Sequence, residues 1–193
     1  FSLHDALPIF TRGRMQPGDN VLLLGTGGVS IFGLQLAAAA GCRLIITSSH
    51  EDKLSRARTL GAGATVNYAT MPEWSGAVRA ATQGVGVHQV LEVGGTGTLP
   101  RSIASLAPGG HIALIGGLSG FGGEIPAMAL LQANATASGI YVGSRANFEA
   151  MRAFQVRHRI RPVIDSVYEL DEARAAYERI EAGQHFGKVV IRL

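Results

Sequence analysis

The sequence predicts an α/β fold, a doubly wound and mostly parallel sheet with helices on both faces. Three observations lead to it: short apolar runs alternate with longer segments of helical period, turn residues separate them, and the alternation continues almost from end to end. Strands that alternate with helices pair in parallel through right-handed crossovers. Hydrophobic residues make up 47% of the chain, enough for a substantial core. No linker or repeat interrupts the pattern, so residues 11–193 are expected to form a single domain.

The predicted strands are short apolar runs. The first, Val21–Leu24, follows the turn at Pro17–Asp19 and contains only valine and leucine, as expected of a strand buried on both faces. The other predicted strands are Leu44–Ile46, Thr65–Tyr68, Gln89–Val93, His111–Ile115, Ser138–Val142, Val163–Val167 and Val189–Leu193.

The predicted helices fill the segments between these runs. Val29–Ala40 is almost wholly apolar and is therefore expected to be internal. Asp52–Leu60 is amphipathic, with Leu54 and Ala57 on one stripe. The other predicted helices are Glu73–Thr82, Thr96–Leu106, Ile125–Ala133, a segment with Phe148, Met151 and Phe154 at helical spacing, and one striped by Ala173, Ala176, Tyr177 and Ile180.

Composition argues against several classes of function. The net charge is only +3, and the densest basic run, Arg152 to Arg161, surrounds a predicted helix end, where cations complement the dipole. We therefore expect a solvated helix end and no nucleic-acid partner. The single cysteine, Cys42, excludes a disulfide framework and a cysteine-rich metal site. No signal peptide is evident, and the longest apolar run, near residues 31–40, is too short for a bilayer, so we expect a soluble cytoplasmic protein with no membrane partner.

A glycine-rich turn indicates a phosphate-binding loop. Residues 25–30 read G-x-G-x-x-S, and they directly follow the first strand and directly open a helix, which is the context that a dinucleotide fingerprint requires. The first glycine would make the tight turn, the second would let the backbone reach a pyrophosphate, and the free amides of the helix would hold the anion. A turn without a ligand is the alternative. The sequence therefore predicts a Rossmann fold with cofactor-binding residues Gly25, Thr26, Gly27, Gly28 and Val29.

The tip of the second strand indicates which dinucleotide is bound. NAD-binding domains usually have Asp or Glu there, which accepts hydrogen bonds from the ribose hydroxyls. This chain has Ser48 and Ser49 instead, with Lys53 one helical turn later. Hydroxyls and an ammonium suit a 2′-phosphate, so NADP(H) is the expected cofactor and NAD the less favoured one. Lys53 as an ordinary surface lysine is the alternative.

Small residues also follow three later strands. In a doubly wound sheet these positions meet at the carboxyl edge, where ligands bind, although each could be simple turn chemistry. The residues expected at this part of the site are Val93, Gly94, Ile115, Gly116, Gly117, Val142, Gly143 and Ser144.

The order of these motifs resembles the medium-chain dehydrogenase/reductase superfamily, the zinc-type alcohol dehydrogenases and quinone oxidoreductases. The likeness runs from about residue 12 to 193 and includes the motifs Arg12-Gly13, Pro17-Gly18-Asp19, Leu23 to Val29, Lys53-Leu54, Leu60-Gly61-Ala62, Val66-Asn67-Tyr68, Val93-Gly94-Gly95 and Gly187-Lys188-Val189-Val190.

The resemblance implies half of a two-domain, hydride-transferring enzyme whose GroES-like catalytic domain precedes this one. In NADP-using relatives a Lys and a Tyr spaced like Lys53 and Tyr68 bind the 2′-phosphate, and Lys188 joins the expected cofactor ligands. The resemblance also implies a homodimer formed through the strand Ser138–Val142, and a small alcohol, carbonyl, quinone or enone as substrate. Residues 1–10 match poorly, so we expect a truncation point there and an isolated chain without activity.

Zinc is not expected on this chain. Its one cysteine and six histidines show no ligand spacing, and in the zinc-type relatives the ligands come mainly from the other domain, so the zinc dependence of a longer protein stays open. A short-chain dehydrogenase would need a Tyr-x-x-x-Lys pair, which none of the four tyrosines provides. A methyltransferase usually has an acidic residue on its cofactor's ribose, where Ser48 stands. The remaining alternative is a dinucleotide-binding module with no chemistry of its own.

Overall fold

A computed structural model describes residues 6–120, 122 and 124–193. The strands are β1 (Asn20–Leu23), β2 (Arg43–Ser48), β3 (Ala64–Asn67), β4 (Val87–Glu92), β5 (Leu106–Leu114), β6 (Thr136–Gly139), β7 (Ile164–Glu169) and β8 (Lys188–Arg192). The helices are α1 (Ala6–Arg12), α2 (Gly28–Ala39), α3 (Glu51–Thr59), α4 (Ser75–Ala81), α5 (Leu99–Ala104), α6 (Ala127–Gln132), α7 (Arg145–Arg157) and α8 (Ala173–Glu181), and a 3₁₀ turn, Leu170–Glu172, precedes α8.

The main sheet has the strand order β3-β2-β1-β4-β5-β6, and every neighbouring pair in it is parallel. This is the order of doubly wound dinucleotide-binding sheets, in which the chain runs outward from β1, returns to the centre, and runs outward again from β4. The predicted α/β fold is therefore confirmed. The reversal between β1 and β4 leaves a crevice at their carboxyl ends, where this fold binds its ligands.

The core lies around β1 and α2. All four residues of β1 are buried, and the burial of Val21, Leu22 and Leu23 agrees with the prediction from the valine and leucine run. The apolar helix α2 packs very closely on the sheet at Gly33, where a Cβ would lie 2.5 Å from Cδ2 of Leu91 and 3.0 Å from Cδ2 of Leu23. This close packing fixes the start of α2 directly beyond the end of β1.

The last two strands form a sheet of their own. β7 and β8 pair in parallel, and α8, which connects them, packs on both. This small sheet joins the main one through a β-bridge between Gly27 and Gly187 and a hydrogen bond of 3.0 Å from the Gly187 amide to the Thr26 carbonyl. The end of the chain is thereby attached to the loop that opens α2.

The N-terminal region is partly helical. The sequence shows no clear period in residues 1–9, yet residues from Ala6 onward form α1, and Ile9 and Phe10 are buried in the main core. Residues 1–5, to which part of the expected truncation point belongs, lie outside the described residues. None of the helices in the described part is long and apolar enough to cross a membrane.

One strand lies earlier than predicted. The sequence favours a strand over Ser138–Val142, but β6 spans Thr136–Gly139. The predicted position is therefore wrong: the strand begins two residues earlier and ends three residues earlier. β6 pairs only as far as β5 extends, and β5 ends at Leu114 opposite Gly139. The β-forming residues Tyr141 and Val142 come after this point and are 91% and 65% exposed.

A buried histidine lies in the middle of the main sheet. His111 on β5 is 5% exposed, and neither of its ring nitrogens has a hydrogen-bond partner among the described residues. Burial lowers the pKa of His111, and the positive charge of Arg12 lowers it further. His111 is therefore neutral in the folded chain at pH values at which an exposed histidine begins to take up a proton.

Because of His111, we expect the folded chain to lose stability in acid. Because the folded-state pKa lies below the ordinary 6.5, the unfolded chain binds more protons than the folded chain just below that pH. The stability contributed by neutral His111 is fully present above pH 6.5 and is lost as the pH falls, with a slope of up to about 1.4 kcal/mol per pH unit. Urea unfolding from pH 7.5 to 5 should therefore show a flatter profile for His111→Gln than for the wild type. The exposed control His158→Gln should keep the wild-type slope, and equal slopes for all three proteins would contradict the prediction.

Candidate cofactor-binding site

The main cavity lies at the carboxyl end of β1 and β2 and has a volume of about 550 Å³. Its walls are the loop that opens α2, the tip of β2, the start of α3, and the segment from the end of α8 into β8. Most of the residues predicted for a cofactor line it: Gly25, Thr26, Gly27, Gly28, Val29, Ser48, Ser49, Lys53, Tyr68, Val93 and Lys188.

The glycine-rich loop has the geometry that anion binding requires. Gly25 has φ +70°, a conformation that side chains rarely adopt, and its amide donates to the Thr47 hydroxyl at 3.2 Å. Gly27 is extended and precedes the first residue of α2, with no side chain capping the helix. The first amides of a helix have no partner within the helix and carry the positive end of its dipole. They face the cavity and can bind a phosphate group.

The loop also leaves space for a cation. A Cβ on Gly28 would lie 2.7 Å from Nζ of Lys188, so only a glycine lets the lysine side chain lie across the loop. A Cβ on Gly27 would lie 3.7 Å from Nε2 of His185. The absence of side chains at these two glycines thus creates a cradle beside basic groups, which fits a pyrophosphate.

The departure from the usual fingerprint is accommodated locally. Ser30, which replaces the third glycine, is 1% exposed, and its hydroxyl donates to the Leu24 carbonyl at 2.6 Å. The serine is therefore satisfied where it lies, and Gly33, one turn later, makes the close approach to the sheet.

The tip of β2 presents hydroxyls to the cavity. Ser48 is buried at 3% exposure, and Ser49 is hydrogen-bonded to Nδ1 of His50 at 2.8 Å. Glu51 is the first residue of α3, one position before the predicted start at Asp52, and its carboxylate accepts a hydrogen bond of 2.7 Å from the side-chain amide of Asn67. Glu51 is thus engaged by β3, and the β2 tip itself brings no carboxylate to the cavity.

Lys53 is placed differently from a surface lysine. It is 6% exposed, and its ammonium donates to the Gly183 carbonyl at 2.6 Å. Burial lowers the pKa of Lys53, while Asp52 and Asp165 act in the opposite direction. An ammonium has three N–H donors, so the bond to Gly183 leaves others for an anion in the cavity.

The other predicted residues lie outside this cavity. They share the carboxyl edge of the sheet or the loops beyond it, and they are Gly94, Ile115, Gly116, Gly117, Val142, Gly143 and Ser144. Ser144 caps α7 in a reciprocal capping box with Asn147. The Gly94 amide donates at 2.8 Å to Glu92, a fully buried carboxylate that also accepts from Thr98 and Ser102. The turns at Gly94 and Ser144 are therefore each stabilised by hydrogen bonds within the chain.

Nine residues that line the cavity were not predicted from the sequence, and most of them belong to the wall formed by the end of the chain. The missed lining residues are Leu24, Ser30, Leu118, Ile180, Glu181, Gly183, His185, Gly187 and Val189. Gly187 gave the clearest signal, since it precedes the predicted Lys188. It has φ +84°, and a Cβ there would lie 2.5 Å from the Val163 carbonyl oxygen.

Comparison with known proteins gives a consistent result. A family model described as zinc-binding dehydrogenase matches residues 28–156. A zinc-type alcohol dehydrogenase-like protein of Schizosaccharomyces pombe is 44% identical over 93% of this chain and 53% of its own length. The quinone oxidoreductase of Thermus thermophilus, whose structures include an NADPH complex, is 30% identical with a TM-score of 0.85, covering 100% of this chain and 64% of that one. An NAD-dependent alcohol dehydrogenase is 33% identical with a TM-score of 0.89, covering 99% of this chain and 56% of that one.

The chain spans about half the length of the curated relatives it matches. In the described part of the chain, no three His, Cys, Asp or Glu side chains are grouped as metal ligands. The described residues therefore present no site that fits a zinc ion.

Proposed function

Because the chain belongs to the zinc-binding dehydrogenase family, we propose that it binds NADP(H) as the cofactor half of an oxidoreductase of the alcohol dehydrogenase and quinone oxidoreductase type. Several of the relatives are named as alcohol dehydrogenases or quinone oxidoreductases, and the quinone oxidoreductase of Thermus thermophilus was solved with NADPH. The bound nicotinamide would supply hydride chemistry to a small alcohol, carbonyl, quinone or enone. The residues of this chain bind the cofactor and orient it.

The observation that supports the proposal best is the glycine cradle at the start of α2. Its helix amides, the side-chain-free Gly27 and Gly28, and the Lys188 ammonium converge on one part of the cavity. Together they offer hydrogen-bond donors and positive charge, which suit a pyrophosphate.

The residues at the tip of β2, where the adenosine of the cofactor would lie, favour NADP(H) over NAD(H). Ser48, Ser49, Lys53 and Tyr68 all line it, and they supply hydroxyl and ammonium donors. Glu181 of α8 also lines the cavity, and a carboxylate could instead accept hydrogen bonds from ribose hydroxyls. NAD(H) binding is therefore the second candidate.

The nicotinamide end of the cofactor would extend along the carboxyl edge of the sheet. β4 and β5 end there in parallel with β1. We propose that Gly94, Ile115, Gly116 and Gly117 contact the cofactor beyond the cavity, followed by Val142, Gly143 and Ser144. The alternative function, a dinucleotide-binding module without chemistry, uses the same contacts and differs only in what the rest of the protein supplies.

The role of Lys53 leads to a selective binding prediction. Lys53→Ala should weaken NADPH binding by about 1–3 kcal/mol, the effect of losing a hydrogen bond to a charged group. NADH has no 2′-phosphate, so its affinity should change little. Fluorescence titration of both cofactors measures the difference.

The matched control for this prediction is Lys188→Ala. The Lys188 side chain lies across the phosphate loop, so its loss should weaken the binding of NADPH and of NADH to a similar extent. If Lys53→Ala also weakened both cofactors equally, Lys53 would act only through its bond to Gly183, and the 2′-phosphate assignment would be wrong.

We also propose a homodimer formed through β6. This strand is at one end of the sheet order, and edge strands offer unpaired backbone groups to a second copy related by a two-fold axis. Sedimentation at high micromolar concentration should show a dimer. Tyr141→Glu, beside the end of β6, should shift the chain toward monomer, whereas Tyr177→Glu, also exposed but on α8, should not. A wild-type chain that stays monomeric would contradict the proposal.

A further inference from the structure

The segment between α8 and β8, residues 182–187, crosses the mouth of the phosphate loop; we name it the return segment. It is attached at three points by hydrogen bonds: Lys53 donates to the Gly183 carbonyl at 2.6 Å, the Phe186 amide donates to Asp165 at 3.0 Å, and the Gly187 amide donates to Thr26 at 3.0 Å. These bonds fix the position of His185, which lies between them.

His185 faces the phosphate-binding part of the cavity. It lines the cavity, and its Nε2 atom is the nearest side-chain atom to the position that a Cβ on Gly27 would take, at 3.7 Å. Its Nδ1 atom is buried and has no hydrogen-bond partner among the described residues. The imidazole is thus held beside the helix amides with its hydrogen-bonding capacity incompletely used.

The charges around His185 favour its neutral form while no anion is present. Burial lowers the pKa of His185, and the adjacent Lys53 ammonium lowers it further. Asp165 and a hydrogen bond with the Arg179 backbone raise it, and the Arg179 charge lowers it. Among the described residues, the other titratable side chains that line the cavity are those of Lys188, Glu181 and Tyr68.

A dinucleotide would change this balance. Its pyrophosphate carries two negative charges, which would lie against the helix amides a few ångströms from the imidazole. Opposite charge at that distance favours the protonated form of a histidine. The proton would come from solvent, and the imidazolium would then donate a charge-assisted hydrogen bond to a phosphate oxygen.

We propose that His185 is a proton-linked ligand of the cofactor pyrophosphate, neutral in the empty cavity and protonated in the complex. The inference rests on the proposed function, because it needs a dinucleotide in the cavity. Binding would take up as much as one proton between the free-state and bound-state pKa values of His185. Cofactor affinity would then be highest at low pH and would fall as the pH rises, by up to about tenfold per pH unit within that window.

NADH is the sharper probe for this linkage. The 2′-phosphate of NADPH titrates itself near pH 6, as phosphate monoesters do, and would add its own proton linkage. The pyrophosphate is common to both cofactors, so the contribution of His185 should appear with NADH as well.

The experiment is isothermal titration calorimetry of the full chain with NADH at pH 7, in buffers of different ionisation enthalpy. The wild type should take up a substantial fraction of a proton per bound cofactor, and its dissociation constant should rise from pH 6 to 8.5. His185→Gln, which cannot titrate, should show no linked proton and a flat pH profile. His158→Gln, at the exposed end of α7, should match the wild type.

A second measurement does not depend on any variant folding. The ring nitrogen chemical shifts of His185 in the wild-type chain should change from neutral to imidazolium values on saturation with NADH at pH 7. Equal proton uptake by wild type and His185→Gln, or a ring that stays neutral in the complex, overturns the inference while leaving cofactor binding intact. A wild-type chain that binds neither dinucleotide overturns the proposed function as well.

Discussion

Purified and mixed with NADPH and a panel of aldehydes, ketones, quinones and enones, this 193-residue chain is expected to bind the cofactor and reduce no substrate. Hydride transfer needs a substrate held within near-attack distance of the nicotinamide, roughly 3–3.5 Å. It also needs a metal ion or an acid that stabilises the negative charge developing on the substrate oxygen. The described residues contain no group of metal ligands, and the one histidine lining the cavity lies at its phosphate end.

The assay follows the absorbance of the reduced cofactor, and the protein-free mixture gives the reference rate. Turnover well above that rate, surviving further purification, would show that the chain contains a catalytic group. Ser144 and Arg145 are the first residues to test in that case, although Ser144 caps α7 and Arg145 pairs with Glu149 at 2.8 Å. The parallel test is a full-length relative with both halves, which should transfer hydride under the same conditions.

Gly187→Ala is expected to weaken both cofactor binding and the stability of the fold. At φ +84° an alanine is strained, and its Cβ would lie 2.5 Å from the Val163 carbonyl oxygen, a backbone atom that cannot rotate away. The backbone must therefore move, and Gly187 takes with it the bond to Thr26 and the bridge to Gly27. His185 and Lys188, which lie on either side of Gly187 in the sequence, would then move away from the phosphate loop. We expect cofactor affinity to fall by tenfold or more, about 1.4 kcal/mol, and stability to fall by more than the ~1–2 kcal/mol of the φ strain alone.

Gly18→Ala separates the effect of the left-handed backbone conformation from the effect of the contact with the Val163 carbonyl. Gly18 has φ +88°, close to that of Gly187, but a Cβ there would meet nothing within 4 Å. It should therefore lose only the stability that the left-handed conformation costs, and its cofactor affinity should equal that of the wild type. If Gly187→Ala behaved like Gly18→Ala in both urea unfolding and cofactor titration, the return segment would not shape the binding site.

The parts of the site that could be predicted from the sequence are local in the chain. The strand, the glycine turn and the start of α2 follow one another within residues 20–30, so their order alone places the free amides at the end of β1. The absence of an acid at the β2 tip could also be read directly, because Ser48 ends that strand.

The parts that could not be predicted depend on contacts between distant residues. Lys53 and Gly183 are 130 positions apart, and no local pattern indicates that this lysine is buried against a carbonyl. His185 lines the cavity only because Gly187 pairs with Gly27. The end of β6 was misplaced for a similar reason, since Leu114 of the neighbouring strand, and not the β propensity of Tyr141, determines where pairing stops.

The assignment to NADP(H) is tested most directly by a side-by-side titration of the wild-type chain with NADPH and NADH at one pH and one salt concentration. We expect both cofactors to bind and NADPH to bind more tightly, because Ser48, Ser49, Lys53 and Tyr68 supply donors for the 2′-phosphate and the β2 tip supplies no carboxylate for the ribose. Equal affinities, or tighter binding of NADH, would contradict the assignment to NADP(H) and would favour Glu181 as the ribose ligand.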